Sequence, residues 1–154
     1  MEMTRKPTPE VTPADYQALS DFRYLLRCFL EFSEKAARQA GIQPRQHQAL
    51  LAIKAFEEPV TIGILAERLR IRHHSAVELV DRLGEAGLVL RRQDESDNRK
   101  VILHLTARAE AYLKDLAAVH LDELSRIEPV LTRILTHGKG RYSRADDRRH
   151  NPAA

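Results

Sequence analysis

Residues 61–106 read TIGILAERLRIRHHSAVELVDRLGEAGLVLRRQDESDNRKVILHLT, and their order decides the fold. Ile62, Leu65, Ala66 and Leu69 recur at i, i+3, i+4 and i+7, the spacing that puts one buried stripe on a helix. Thr61 stands where an N-cap is needed. A second helix starts at His73, with Ala76, Leu79, Val80 and Leu83 as its inward stripe, and Gly87 supplies a left-handed stop. Steps of about 100° per residue turn His74, Glu78, Asp81, Arg82 and Glu85 toward solvent. LVLRRQ (88–93) and RKVILHLT (99–106) flank the polar turn DESDN, and Val101, Leu103 and Leu105 alternate with Lys100, Ile102 and His104 as in a half-buried strand. Two helices, a break and a hairpin predict a helix-turn-helix followed by a wing, so the expected fold class is mainly α with a small β-wing.

On either side the pattern is helical. Leu19, Phe22, Leu26, Phe29 and Phe32 form a stripe between Asp15 and the break at Gly41, and Pro44 fits the first turn of a helix ending near Phe56. A long segment after Thr106 carries Tyr112, Leu113, Leu116, Val119, Leu124, Ile127, Leu131, Ile134 and Leu135, with Pro129 expected to break or restart it. Neither end segment buries its stripe alone. A homodimer through residues 15–35 and 107–136 is therefore expected, against the competing reading of an intramolecular bundle. Residues 1–13 hold three prolines, and residues 138–154 carry five Lys/Arg against two Asp with almost no aliphatics. Both read as disordered tails.

A chain of 154 residues is one domain's worth, and its formal charge of +3 leans basic. Between residues 59 and 105 eight Lys/Arg face seven Asp/Glu, so charge is patterned locally. It gathers at Arg70 and Arg72 before the second helix and at Arg91, Arg92, Arg99 and Lys100 in the wing, where phosphates are expected. One cysteine allows no intrachain disulfide, and no run of 18 apolar residues or export signal occurs, so a cytoplasmic protein is expected. The sequence has no nucleophile elbow, phosphate-cradling glycine loop or H-x-x-x-H or C-x-x-C spacing. No enzyme, catalytic residue, cofactor or metal is expected.

LAERL (65–69), VDRL-x-x-x-GLV-x-RR (80–92) and the D-x-R of Asp97–Arg99 followed by VILHLT (101–106) resemble the MarR family of bacterial transcriptional regulators. The resemblance covers the middle third of the chain closely, and the flanking helices only in length and pattern. It implies a homodimeric winged helix-turn-helix repressor that binds a pseudo-palindromic DNA operator and releases it when a small ligand or oxidant arrives. The domain limits are then 14–137, with the winged helix-turn-helix at 59–106 and dimerisation helices at 15–40 and 107–136.

The expected DNA-contacting residues are Arg72, His73, His74, Ser75, Val77, Glu78 and Arg82 on the second helix, with Arg92, Asp97, Arg99 and Lys100 in the wing. A major groove admits one helix, entered at its N-terminal end, where backbone amides also favour a phosphate. Val77 could touch a thymine methyl. Glu78 is awkward, because a carboxylate facing phosphates is repelled. It could pair with Arg82 at i, i+4, close a capping box with Ser75, or accept from cytosine N4, in that order of preference. Arg99, at a turn held by Asp97, resembles the family's minor-groove arginine; alone, the pair would read as a hairpin closure. Arg91 and Arg92 point to opposite faces of their strand, one of them toward a phosphate or an ion pair.

Effector sensing is less legible. Tyr24, Arg27, Phe29 and His47 are candidates for a ligand pocket, although taken singly Tyr24 and Phe29 read sooner as packing residues and Arg27 as solvated. Cys28, among leucines and a phenylalanine, reads as a small core residue rather than a redox sensor. Acidic Glu78, Asp81 and Glu85 support the alternative of a winged helix that serves protein interaction with weak or no specific DNA binding.

Overall fold

The computed structural model describes residues 9–139. The two expected tails therefore lie largely outside the described residues. Five helices and two strands follow one another as α1 Pro13–Ala40, α2 Pro44–Ala55, α3 Ile62–Leu69, α4 His73–Glu85, β1 Val89–Gln93, β2 Val101–Leu105 and α5 Ala107–Thr136. The protein is mainly α-helical with a two-stranded antiparallel wing.

Local chemistry explains the boundaries. Asp15 N donates to Thr12 Oγ1 at 3.4 Å while Thr12 N donates to Asp15 Oδ2 at 2.8 Å, a reciprocal cap at the start of α1. Gly41 ends α1 at φ +90°, in the left-handed region. Gln43 and Gln46 form a capping box on α2, whose first residue is Pro44. Thr61 Oγ1 accepts from Ile64 N at 3.3 Å, the cap expected for α3. Gly87, at φ +68°, lets Leu88 N reach back to Leu83 O at 2.9 Å and turns the chain from α4 into the wing. The expected break at Pro129 does not occur, and α5 runs through it. One missing N–H costs about 3 kcal/mol in a helix interior, a penalty that 30 residues of helix absorb.

The chain divides into two compact units. One contains residues 30–124, and its core is built from Leu50, Leu65, Val80 and Leu83, all almost fully buried, with Ala37, Ala49, Val60, Leu88, Leu103 and Leu113 around them. The inward stripe of α4 is Ala76, Leu79, Val80 and Leu83, as its periodicity requires. Truncating such a leucine to alanine costs about 2–5 kcal/mol.

The wing pairs Val89 with Leu105 and Gln93 with Val101. Leu103 N donates to Val60 O at 2.8 Å, so β2 is held on both edges. The expected alternation along β2 fails: Val101 is exposed, while Ile102 and Leu103 are both buried. A strand gripped from two sides, with chain on both of its edges, is not the half-buried strand that the alternation assumed.

The other unit contains the described residues 9–29 and 125–139. Here the α1 stripe stays largely uncovered: Leu19 is 62% exposed and Leu26 44%. Leu135, near the end of α5, is 63% exposed. Cys28 is exposed as well, so its expected place in a core is corrected, while Phe22, Leu25 and Phe29 of the same helix are half-buried. Asp15 is buried and accepts from His137 Nε2 at 2.7 Å, a pairing across 122 residues that sequence spacing gives no hint of.

Candidate nucleic-acid interface

The candidate reading face is the solvent side of α4. Its N-cap is Arg72, extended at φ −69°, ψ 151°, and no side chain caps the helix. The first-turn amides of His73, His74 and Ser75 therefore lack a side-chain acceptor, and no acidic residue lies in that turn. An uncapped helix N-terminus beside Arg72 and two exposed histidines favours an anion. Ser75 and Val77 are half-buried, and Arg82 is exposed further along. Upstream, Arg70 closes α3 in the left-handed conformation, φ 56°, with its N–H on Ala66 O and Glu67 O.

Glu78 is exposed and makes no ion pair among the described residues. The favoured pairing with Arg82 is thus corrected. The capping box is also ruled out, because Arg72 is the N-cap and Ser75 already lies inside the helix. Glu78 and Arg82 instead line one open groove with Ser75, Arg45, Gln46, Glu34 and Arg38.

The wing tip is organised by two carboxylates. Asp94 N donates to Lys100 O at 2.9 Å and Lys100 N to Asp97 O at 2.9 Å, closing the loop. Asp94 Oδ1 accepts from Ser96 N and Oγ, both at 2.9 Å. Those bonds, the backbone one first, hold the Asp94 carboxyl below its ordinary pKa, with a smaller contribution from Lys100. Asp97 Oδ1 accepts from Arg99 N at 3.0 Å and from Arg99 Nε at 3.3 Å. Arg99 nevertheless projects from the tip, its side chain 92% exposed. Lys100, next to it in sequence, is exposed, and so is Arg92, which lies opposite Ile102.

Arg91 has a different task from Arg92: its guanidinium is ion-paired with Asp81 on α4. That pair ties the wing to α4 and removes one carboxylate from the acidic set on that helix. Sequence reasoning separated the two arginines without saying which was paired. The i, i+10 separation across a helix–strand turn has no periodic signature.

The four candidate pocket residues occupy dissimilar surroundings. Tyr24 and Arg27 are exposed, Phe29 is half-buried, and His47 on α2 is buried. His47 lies against His120 of α5, ring centroids 5.0 Å apart. That neighbour went unrecognised in the sequence, where the histidines appear scattered. Thr106 was also missed: its hydroxyl donates to Gly87 O at 2.7 Å and accepts from Ala109 N at 3.2 Å, so one side chain closes the wing and caps α5.

Residues 40–100, which span α2 to the wing tip, match the MarR family. Over that stretch the chain resembles the MarR family. It is 26% identical over 113 residues to YkoM of Bacillus subtilis, described as an uncharacterized HTH-type transcriptional regulator, covering 71% of this chain and 73% of YkoM. A MarR family protein from Bacillus stearothermophilus has the same fold, with a TM-score of 0.69 at 20% identity over 84% of this chain and 95% of that one. Two further structures of this fold hold ligands. A MepR variant from S. aureus, bound to an oligodeoxyribonucleotide, gives a TM-score of 0.60 at 19% identity over 83% of this chain and 99% of that one. CouR from Rhodococcus jostii RHA1, bound to p-coumaroyl-CoA, gives 0.62 at 23% over 84% and 98%. No helix among the described residues is long and apolar enough to cross a membrane.

Proposed function

We propose that the protein is a cytoplasmic homodimeric repressor that binds a pseudo-palindromic operator and is released by a small ligand. The observation that carries DNA binding is the uncapped N-terminus of α4, set between Arg72 and the exposed His73 and His74, in the same compact unit as the projecting Arg99. In this reading α4 enters a major groove, with Val77 and Arg82 along it, and Arg99 enters the adjacent minor groove with Asp97 fixing its backbone and guanidinium. Arg92 and Lys100 meet phosphates. The MepR–oligodeoxyribonucleotide complex supports this use of the fold.

The dimer is supported by the apolar side chains that one chain leaves in water on α1 and α5, among them Tyr16, Leu19, Leu30, Leu121 and Leu135, each more than half exposed. Within α1, Tyr16 and Leu19 stand three residues apart on one helix face, and exposed apolar surface of that kind marks an interface. A small effector is supported by CouR, which holds p-coumaroyl-CoA on this fold.

An exposed, unpaired Glu78 favours a second reading, in which the winged helix serves a protein partner. The Asp81–Arg91 pair weakens it, since that carboxylate is already neutralised within the fold. The test is anisotropy of labelled DNA from upstream of the protein's own gene against a scrambled duplex, with light scattering of the free protein. Preferential binding of the upstream duplex by a dimer is expected; a monomer at micromolar concentration, or equal binding to both duplexes, contradicts the proposal.

A further inference from the structure

His120, on α5, sits between two elements. Its Nδ1 lies 2.7 Å from Leu116 O, which can only accept, so Nδ1 carries the proton and Nε2 accepts from Ser33 Oγ at 2.8 Å. Its ring meets Phe32 of α1 edge-on, centroids 5.6 Å apart, and tilts against His47 of α2 at 5.0 Å. His47 itself is only 5% exposed. All of these residues belong to the unit of residues 30–124. The two imidazoles therefore join α2, the helix before the helix-turn-helix pair, to α1 and α5.

We propose that His47 and His120 form an acid-sensitive joint, through which a fall in pH below neutrality loosens α2 from α1 and α5 and weakens DNA binding. The DNA half of this inference rests on the function proposed above.

The chemistry is asymmetric. The Ser33 hydroxyl can turn to donate or to accept, so its contact with His120 Nε2 does not depend on the charge of that ring. His47 cannot be charged so cheaply: burial first, and the charge on His120 second, lower its pKa from the ordinary 6.5. The remaining groups around the pair do not replace this influence. From α1, Ser33 and Phe32 are neutral, and Glu34 is ion-paired with Arg38. Lys54 of α2 is paired with Glu110 of α5. On α4, Glu78 and Arg82 lie across the open groove from Arg45 and Gln46. A histidine whose pKa is lowered on folding takes up fewer protons folded than unfolded. Its contribution to stability is therefore lost as pH falls below about 6.5 toward the lowered value, and is regained above it.

The experiment follows the histidine ring resonances by NMR from pH 8 to pH 5 in the full-length wild type and in His120→Gln, alongside thermal unfolding and DNA anisotropy at constant ionic strength. A third chain, His47→Gln, removes the buried titrating ring and keeps a neutral polar side chain. The joint requires His47 to titrate below 6.5 in the wild type and to move upward in His120→Gln. Between pH 7.5 and pH 5.5 the wild type should lose several-fold more DNA affinity than His47→Gln, and its unfolding midpoint should fall further. An ordinary His47 titration indifferent to His120, or parallel pH profiles for unfolding in wild type and His47→Gln, overturns the joint. Should the protein bind no DNA at any pH, the DNA reading fails while the ring titration and unfolding profiles still decide the joint. Should DNA affinity follow pH identically in wild type and His47→Gln, the regulatory half is overturned.

Discussion

The Asp81 carboxylate on α4 is ion-paired with the Arg91 guanidinium on β1, so α4 and the wing are fastened by two side chains that are about half exposed. Solvent screens a pair of that exposure, and its coupling in a double-mutant cycle should stay below about 1 kcal/mol. Its role is then orientation more than stability. Arg91→Ala is expected to shift the unfolding midpoint by no more than a few degrees and to leave the salt dependence of DNA binding close to wild type, because this arginine is already engaged. A salt slope reduced as far as that of an Arg99 variant would show that Arg91 leaves Asp81 for a phosphate.

Glu78 stands unpaired on the face that is proposed to approach DNA. Removing its charge removes a repulsion without removing a fold contact. Glu78→Gln should raise affinity several-fold on operator and scrambled duplex alike, with circular dichroism unchanged. A change in sequence preference instead would make Glu78 a base reader, through cytosine N4.

Asp97 positions Arg99 by accepting from both its backbone and its Nε. The hairpin is also closed by backbone bonds from Asp94 N to Lys100 O and from Lys100 N to Asp97 O, so Asp97→Ala should keep the wing folded and cost under about 1 kcal/mol of stability. Binding should weaken, but less than on deleting Arg99 itself. Loss equal to Arg99→Ala would mean that the guanidinium has no fixed position without its carboxylate.

Gly87 occupies the left-handed region at φ +68°, yet a Cβ added there meets nothing within 4 Å. Gly87→Ala thus isolates the backbone cost, about 1–2 kcal/mol, measurable by denaturant titration. Thr61→Ala removes the cap on α3 and should cost about 1 kcal/mol by the same measurement. A neutral result at Gly87 would place the turn's strain elsewhere.

What the sequence made legible was everything with a period or a local cap. The stripes of α3 and α4, the Thr61 cap, the Gly87 stop and the Asp97–Arg99 turn depend on neighbours within a few residues, and each is where the pattern put it. The misreadings came from longer range. Ile102 is buried because β2 also meets Val60, a contact that no alternation encodes. Glu78 and Arg82 have the spacing of a favourable pair and do not form one, since exposed pairs contribute so little that spacing alone does not hold them. Cys28 looked like core among leucines, yet its own position on α1 faces water. His47 and His120 lie 73 residues apart and meet only once the helices pack.

The most direct test of the account is the salt dependence of binding to the upstream duplex by wild type and Arg99→Ala. A groove-inserted arginine releases counterions, so the account requires weaker binding in the variant and a slope of log affinity against log salt reduced by about one. Equal affinity and equal slope would remove Arg99 from the interface and with it the proposed role of the wing.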